Sequence, residues 1–156
     1  MEHVEWKNPL IVQWCQYLLN SYAHWIKQEL IERKGTPLEQ AERLFNSTFV
    51  VASHGVENDP ILNYGNQIAL DLWMMDWLQF TQTPSRLTAE IPNRAERAHM
   101  LKQAKTQGYI ADYRGIRISS TGQRFMIDQA IIWNIHKPDG TTIGQGATFS
   151  TWKFLN

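Results

Sequence analysis

Large apolar residues recur at helical spacing through the first part of the chain. Between residues 9 and 33 they form one stripe, which includes Leu10, Trp14, Leu18 and Trp25. This spacing predicts one long amphipathic helix. Thr36, Pro37 and Glu39 then have the residue types of an N-cap, a first-turn proline and a capping-box partner. They predict a short second helix that ends near residue 46.

The next segment changes to a β pattern. The β-branched and aromatic run TFVVAS, at residues 48–53, predicts a strand, and ILNY, at residues 61–64, predicts a second strand after the turn-forming GVENDP. Asn66 follows in the position of an N-cap for another helix. Residues 74–93 contain prolines and keep no regular period, which predicts an irregular or broken helix.

The remainder is predicted to be one helix followed by three strands. The residues predicted to line one side of a helix that stops at Gly108 are Ile91, Ala95, Ala98, Leu101 and Ala104. The strand-like runs are residues 109–119, 124–136 and 142–155. The segments SSTGQ and KPDGT between them suit tight hairpin turns. Strict alternation in the second run predicts one shared face for Phe125, Ile127, Gln129, Ile131 and Trp133.

These elements predict a single α+β domain. Residues 1–46 form an N-terminal helical extension packed on a core at residues 47–156. At 156 residues, with 43 % hydrophobic residues, the chain is long enough to bury an ordinary core. No repeat or linker indicates a second domain.

Charge argues against two classes of partner, and cysteine usage limits the possible disulfides and metal sites. The formal net charge is zero and no basic run occurs, so we expect no direct nucleic-acid binding and no membrane partner. The N-terminus lacks a signal-peptide pattern, which predicts a cytoplasmic protein. The single cysteine, Cys15, excludes an internal disulfide and multi-cysteine metal sites, and the histidines lack metal-binding spacing.

Ser53, His54 and Asp59 are the residue types of a hydrolytic triad. Ser53 and His54 are neighbours on a predicted strand, so their side chains point to opposite faces. The chain has no G-x-S-x-G motif to present a nucleophile. We therefore expect a non-enzymatic protein, with Asp59 and Asn66 acting as turn and cap residues.

The order of elements is similar to that of a PAS domain, a sensor fold. More narrowly, the segments VVASHGVENDPILNYGNQIALDLW, FTQTPSRLTAE, RAER and YRGIRISSTGQRF resemble the MEKHLA-domain family. That family includes small bacterial proteins and the C-termini of plant homeodomain–leucine zipper transcription factors. The resemblance covers nearly the whole chain, although Met74 stands where an acidic residue is expected. It implies a PAS-like five-stranded antiparallel sheet with helices on one face, and a sensory or regulatory role.

A PAS-like arrangement implies a cavity between the sheet and the middle helices. The candidate ligand-binding residues are Asn63, Tyr64, Trp73, Trp77, Arg86, Tyr113, Arg114, Gln129 and Trp133. Arg86 would hold a small acidic ligand, or the tryptophans an aromatic one. The alternative is a filled core, with Arg86 paired to Glu90, and a function as a protein–protein interaction module.

The resemblance to the MEKHLA-domain family implies no particular cofactor. Haem-binding PAS domains place an axial ligand near the position of His99, but His99 lies beside the predicted apolar stripe, which favours a solvated histidine over a haem ligand. Covalent flavin photochemistry needs a cysteine on a middle helix, and Cys15 near the N-terminus excludes it. The broad apolar stripe of the first helix predicts a homodimer formed through that helix.

Overall fold

The computed structural model describes residues 5–156 of the chain. Within this range the α-helices are α1 (Pro9–Ile26), α2 (Pro37–Phe45), α3 (Gln67–Trp73), α4 (Trp77–Phe80) and α5 (Ile91–Gln107), and single 3-10 turns span Glu5–Lys7 and Ser85–Thr88. The strands are β1 (Val50–His54), β2 (Leu62–Gly65), β3 (Tyr109–Ile118), β4 (Arg124–His136), β5 (Thr142–Phe149) and β6 (Thr151–Phe154). None of the helices in residues 5–156 is both long and apolar enough to cross a bilayer.

The strands form one antiparallel sheet. Its order is β2-β1-β5-β4-β3, and β6 also pairs with β4. The predicted meander of three C-terminal strands is therefore confirmed. The third predicted run is divided at Ser150, so that β5 pairs with Ile131 to His136 and β6 pairs with Phe125 to Asp128.

A bulge in the middle of β4 separates these two halves. Gln129 has a φ of 54°, and the register of β4 against β3 shifts nearby. The extra residue reverses the inside–outside alternation, because side chains alternate with a period of two. The prediction of one shared face for β4 is wrong: Phe125 and Ile127 lie in one hydrophobic cluster, whereas Ile131 and Trp133 belong to the other.

Helices cover both faces of the sheet. The front face packs against α3 and α5, and its cluster includes Leu70, Trp73 and Met100. The back face packs against α1 and α2, the predicted N-terminal extension, whose residues 1–4 lie outside the described range. In β1, Val50 and Ala52 lie in the front cluster and Val51 in the back cluster, as expected for alternating side chains.

Indole N–H groups fix α1 to the sheet. Trp14 Nε1 donates to Ser53 Oγ over 2.9 Å, and Trp25 Nε1 donates to the carbonyl oxygen of Asn134 over 3.0 Å. Helix α1 ends at Ile26 rather than near Arg33, because Lys27 takes the left-handed conformation (φ 66°) and caps the helix. The predicted extension of this helix to Arg33 is wrong.

The predicted helix starts of α2 and α3 are confirmed. Thr36 Oγ1 accepts a bond from Glu39 N, and Glu39 Oε1 accepts one from Thr36 N, which completes the capping box. Asn66 Oδ1 accepts a bond from Ala69 N at the start of α3. Gly108 ends α5 with a φ of 97°, a left-handed conformation that suits glycine.

Candidate ligand-binding site

A cavity of about 70 Å³ lies between the front face of the sheet and the helices that cover it. Strands β1, β3, β4 and β5 form one wall, and α3, α4, α5 and the 3-10 turn Ser85–Thr88 contribute to the other. The cavity is mainly apolar, but two arginines also line it. These arginines are its most distinctive feature.

Arg97 comes from α5 and Arg117 from β3. Their exposed fractions are 6 % and 5 %. Arg97 Nη2 donates to Ser85 Oγ, and Arg117 donates to the carbonyl oxygen of Ile116 and to Tyr113 Oη. A guanidinium has five N–H donors, so most donors of both groups have no hydrogen-bond acceptor within residues 5–156. Neither forms an ion pair with a carboxylate in this part of the chain.

The two guanidinium groups raise the positive potential of the cavity. Burial is the main cause that lowers the pKa of Arg97 to about 10, and the nearby charge of Arg117 contributes to this shift. Arg97 therefore still carries its charge at neutral pH. A buried charge without a counter-charge is costly, and an anion held against both arginines would remove that cost.

Tyr113 connects Arg117 to α5. Its hydroxyl accepts a bond from Arg117 Nη2 over 3.1 Å and donates to the carboxylate of Glu96 at 2.9 and 3.0 Å. The Arg117 guanidinium also lies over the Tyr113 ring, 5.4 Å from its centroid. These contacts hold Arg117 in place without neutralising it directly.

Aromatic rings form the other part of the cavity wall. The Trp73 ring centroid lies 6.1 Å from that of Phe80 and 6.2 Å from that of Phe149, both in edge-to-face geometry. Ile127 and Ile132 extend this apolar wall. Trp73 Nε1 is buried and has no hydrogen-bond partner among the described residues.

The comparison with protein families decides the classification. The model of the MEKHLA domain matches residues 12–154.

The chain belongs to the MEKHLA domain family.

The family assignment confirms the resemblance found in the sequence. No curated protein matches this MEKHLA domain. The cavity described above lies wholly within the matched residues, since its lining runs from Ala52 to Phe149.

Solved structures confirm the predicted fold class. The PAS domain of a protein from Colwellia psychrerythraea has 11 % identity and a TM-score of 0.61, with 75 % of this chain and 94 % of that chain covered. A light-oxygen-voltage domain studied with a flavin analogue has 10 % identity and a TM-score of 0.60, covering 76 % and 85 %. A fungal light-oxygen-voltage photoreceptor domain has 11 % identity and a TM-score of 0.59, covering 86 % and 89 %. Family and fold together support a sensory or regulatory domain.

A second depression lies beside the cavity and shares part of its wall. This vestibule has a volume of about 200 Å³ and lies between the β1–β2 turn and α5, where Lys102 and Lys105 line it. His54, Leu101 and Gln145 line both spaces. Gln145 Nε2 donates to the carbonyl oxygen of Leu101 over 3.0 Å, which holds this partition closed. Glu57 also lines the vestibule, so the two lysines leave it with one net positive charge.

The imidazole of His54 is almost fully buried in the partition. Its Nδ1 lies 2.8 Å from the carbonyl oxygen of Gly55, whereas Nε2 has no hydrogen-bond partner within residues 5–156. Burial lowers the pKa of His54, and the charge of Arg97 contributes in the same direction. The folded protein therefore favours the neutral ring.

This shift predicts a loss of stability in mild acid. The unfolded chain, with an ordinary histidine pKa near 6.5, takes up a proton that the folded protein resists. The free energy of unfolding should therefore fall as the pH drops below about 6.5, by at most about 1.4 kcal/mol per pH unit from this residue. Urea denaturation at pH 7 and pH 5 measures the effect. In His54→Gln the pH dependence should be smaller; an unchanged pH dependence would assign it to other groups.

The structure brings few of the predicted site residues together. Of the nine candidates, only Trp73 lines the cavity. Tyr113 contacts it indirectly through Arg117, and Arg114 is exposed. Arg86 is exposed and forms an ion pair with Asp59, with 3.2 Å between Nε and Oδ2. The alternative pairing of Arg86 with Glu90 is wrong, because the Glu90 carboxylate contacts Arg124.

The other candidates lie away from the cavity. Tyr64 and Trp133 are fully buried in the back cluster, and the Trp77 ring packs 5.8 Å from that of Tyr64. Asn63 Oδ1 accepts a bond from Ser53 Oγ, and Gln129 is exposed at the β4 bulge. These side chains therefore serve the packing of α1 and α4, or face solvent.

Sequence reasoning missed Arg97 and Arg117. The buried side of α5 carries Arg97, Met100 and Ala104, while Ala95 and Ala98 are exposed. The predicted stripe is therefore wrong for Ala95 and Ala98, whereas Ala104 is buried as predicted. The sequence did contain a signal for Arg97. This arginine has helical i, i+3, i+4 and i+7 spacing with the apolar residues Met100, Leu101 and Ala104, which places it on their side of the helix.

Ser53, His54 and Asp59, the residue types of a hydrolytic triad, each make different contacts. Ser53 Oγ bonds to α1 and β2, His54 faces the front cavity, and Asp59 pairs with Arg86. His99 is exposed on α5. Cys15 lies in the back cluster, where burial raises the pKa of its thiol to about 12.

Proposed function

We propose that this MEKHLA domain is a non-enzymatic sensory domain that binds a small anion in the front cavity. The observation that supports this most strongly is the pair of buried arginines, Arg97 and Arg117, without a carboxylate partner among the described residues. Guanidinium groups are well suited to bind carboxylates through two parallel hydrogen bonds. The apolar rings opposite would exclude water and strengthen that interaction.

The size of the cavity supports a ligand smaller than a flavin or a haem. Pockets for drug-sized molecules occupy roughly 300–1,000 Å³, whereas this cavity has about 70 Å³. Cys15 lies on the other side of the sheet, and His99 is exposed, so neither is placed to hold such a group against the cavity. These features support a ligand smaller than the flavin analogue named for one similar light-oxygen-voltage domain.

Strand β1 provides a route from the cavity to α1. Ser53 lines the cavity and its hydroxyl accepts a bond from Trp14 of α1. Ligand binding would shift β1 and so change the packing of α1, which would be the output signal. Among the large apolar residues of α1, Leu10 is exposed by 73 %, while Leu18 and Leu19 are fully buried against the sheet. The buried residues of α1 therefore favour a signal carried by the packing of α1 against the sheet.

The homodimer through the N-terminal helix stays a prediction. Sedimentation velocity of the full chain at micromolar concentration, with and without a bound anion, tests it. A single monomeric species in both conditions would contradict it and leave packing of α1 as the output.

Native mass spectrometry of freshly purified protein tests the proposed function directly. We expect a co-purified acid, or an increase in melting temperature when sodium salts of small anions are added. Sodium chloride at equal ionic strength is the control, and Arg97→Gln should abolish the response. If neither a bound mass nor stabilisation by any anion is found, the proposal is overturned in favour of the interaction module.

A further inference from the structure

We infer that the ligand is a short, unbranched monocarboxylate of about three to five carbons, with its charge at Arg97 and Arg117 and its tail among Trp73, Phe80 and Phe149. This inference rests on the proposed function and names the class of anion. It follows from three properties of the cavity: the polarity of its two walls, its volume, and the groups that close it.

The polarity of the walls selects an amphipathic anion. Hydrogen-bond donors lie at Arg97 and Arg117, with the Ser85 hydroxyl already bonded to Arg97. The cavity lining in the described chain contains no acidic side chain. The rest of the wall is aromatic and aliphatic, and burial of a second charge there would be costly. A monoanion with an apolar tail therefore fits, whereas a dicarboxylate does not.

The volume sets the length of the tail. One water-sized group needs about 10–15 Å³ of such space, so a cavity of about 70 Å³ holds about five to seven non-hydrogen atoms. A carboxylate with three to five carbons has five to seven non-hydrogen atoms. A longer chain would have to displace the partition formed by His54, Leu101 and Gln145.

The partition indicates where the acid enters. The vestibule shares this partition with the cavity, and Lys102 and Lys105 line it together with Glu57, which leaves one net positive charge. This net positive charge would attract an anion before it reaches the cavity. A small acid could pass if Leu101 and His54 moved apart, because both residues line both spaces.

Isothermal titration calorimetry with a series of straight-chain sodium carboxylates, from acetate to octanoate, tests the inference. Each added CH₂ should strengthen binding by about fourfold up to four or five carbons. Octanoate should bind at least tenfold more weakly than butyrate. Succinate has four carbons and a second carboxylate, and 1-butanol has four carbons and no charge. Each should bind at least a hundredfold more weakly than butyrate.

Ala52 lines the cavity and provides a matched variant. Ala52→Val should shift the best chain length one carbon shorter, whereas Ala98→Val, on the exposed side of α5, should leave the series unchanged. An optimum at eight carbons, a series without an optimum, or a preference for succinate would overturn the inference. If phosphate or sulfate binds and no carboxylate does, the short-acid inference fails while the anion site stands. If no anion binds at all, both fail.

Discussion

Arg97→Met is expected to stabilise the protein without ligand and to abolish its response to butyrate. Arg97 has an exposed fraction of only 6 % and has no carboxylate partner among residues 5–156. Methionine has a similar length and removes the cost of the buried charge, which should raise the free energy of unfolding by about 1–3 kcal/mol. The Ser85 hydroxyl loses a donor but can rotate to another partner.

The same substitution should weaken butyrate binding by about a hundredfold or more, because a charged hydrogen-bonding partner of the anion is removed. Urea denaturation and titration calorimetry measure the two effects. Arg86→Met is the matched control, since this arginine is exposed and paired with Asp59. It should change stability by less than about 1 kcal/mol and leave binding unchanged. A destabilised Arg97→Met protein that still binds butyrate would contradict the proposed role of Arg97.

Asn66→Ala is expected to be among the most destabilising single changes in the chain. The side chain of Asn66 is fully buried and joins three segments. Its Oδ1 accepts bonds from the backbone nitrogens of Val51 and Ala69, and its Nδ2 donates to the carbonyl oxygens of Phe49 and Leu44. Alanine would leave several buried backbone groups unpaired, at about 1–3 kcal/mol each.

The expected total loss is about 3–5 kcal/mol, measured by urea denaturation. Asp76→Ala is the matched control, because Asp76 also caps a helix but is exposed, and its side chain bonds only to Gln79 N in the described contacts. Its loss should be about 1 kcal/mol. Equal losses for the two variants would show that Asn66 acts only as a cap and does not connect β1 to α3.

Local chemistry made most of the fold predictable. Capping residues such as Thr36 and Asn66, and hairpin turns with Gly122 and Gly140 at positive φ, act within a few residues of themselves. The bulge at Gln129 was not predictable from alternation, because it depends on how β5 and β6 divide their pairing with β4. Because the bulge reverses the alternation of side chains, Trp133 lies in the back cluster and not in the predicted cavity.

The candidate site was less predictable than the fold. Arg86 was a candidate because it lies in an irregular segment, but it is exposed and forms an ion pair with Asp59. Arg97 was hidden because small alanines suggested the wrong buried side of α5. The environment of Arg117 depends on β3 pairing with β4 and on Tyr113, contacts that join distant parts of the chain. The buried pair of Arg97 and Arg117 could therefore be recognised only once the fold was known.

The arginine side-chain Nε–H signals in ¹⁵N-resolved NMR test the anion site most directly. As sodium butyrate is added, two of these signals should shift and reach saturation, and Arg97→Lys and Arg117→Lys should each remove one of them. Signals from exposed arginines such as Arg86 and Arg114 should not change beyond the effect of sodium chloride at equal ionic strength. Unchanged signals from Arg97 and Arg117 at saturating butyrate would contradict the proposal that these two residues bind a carboxylate.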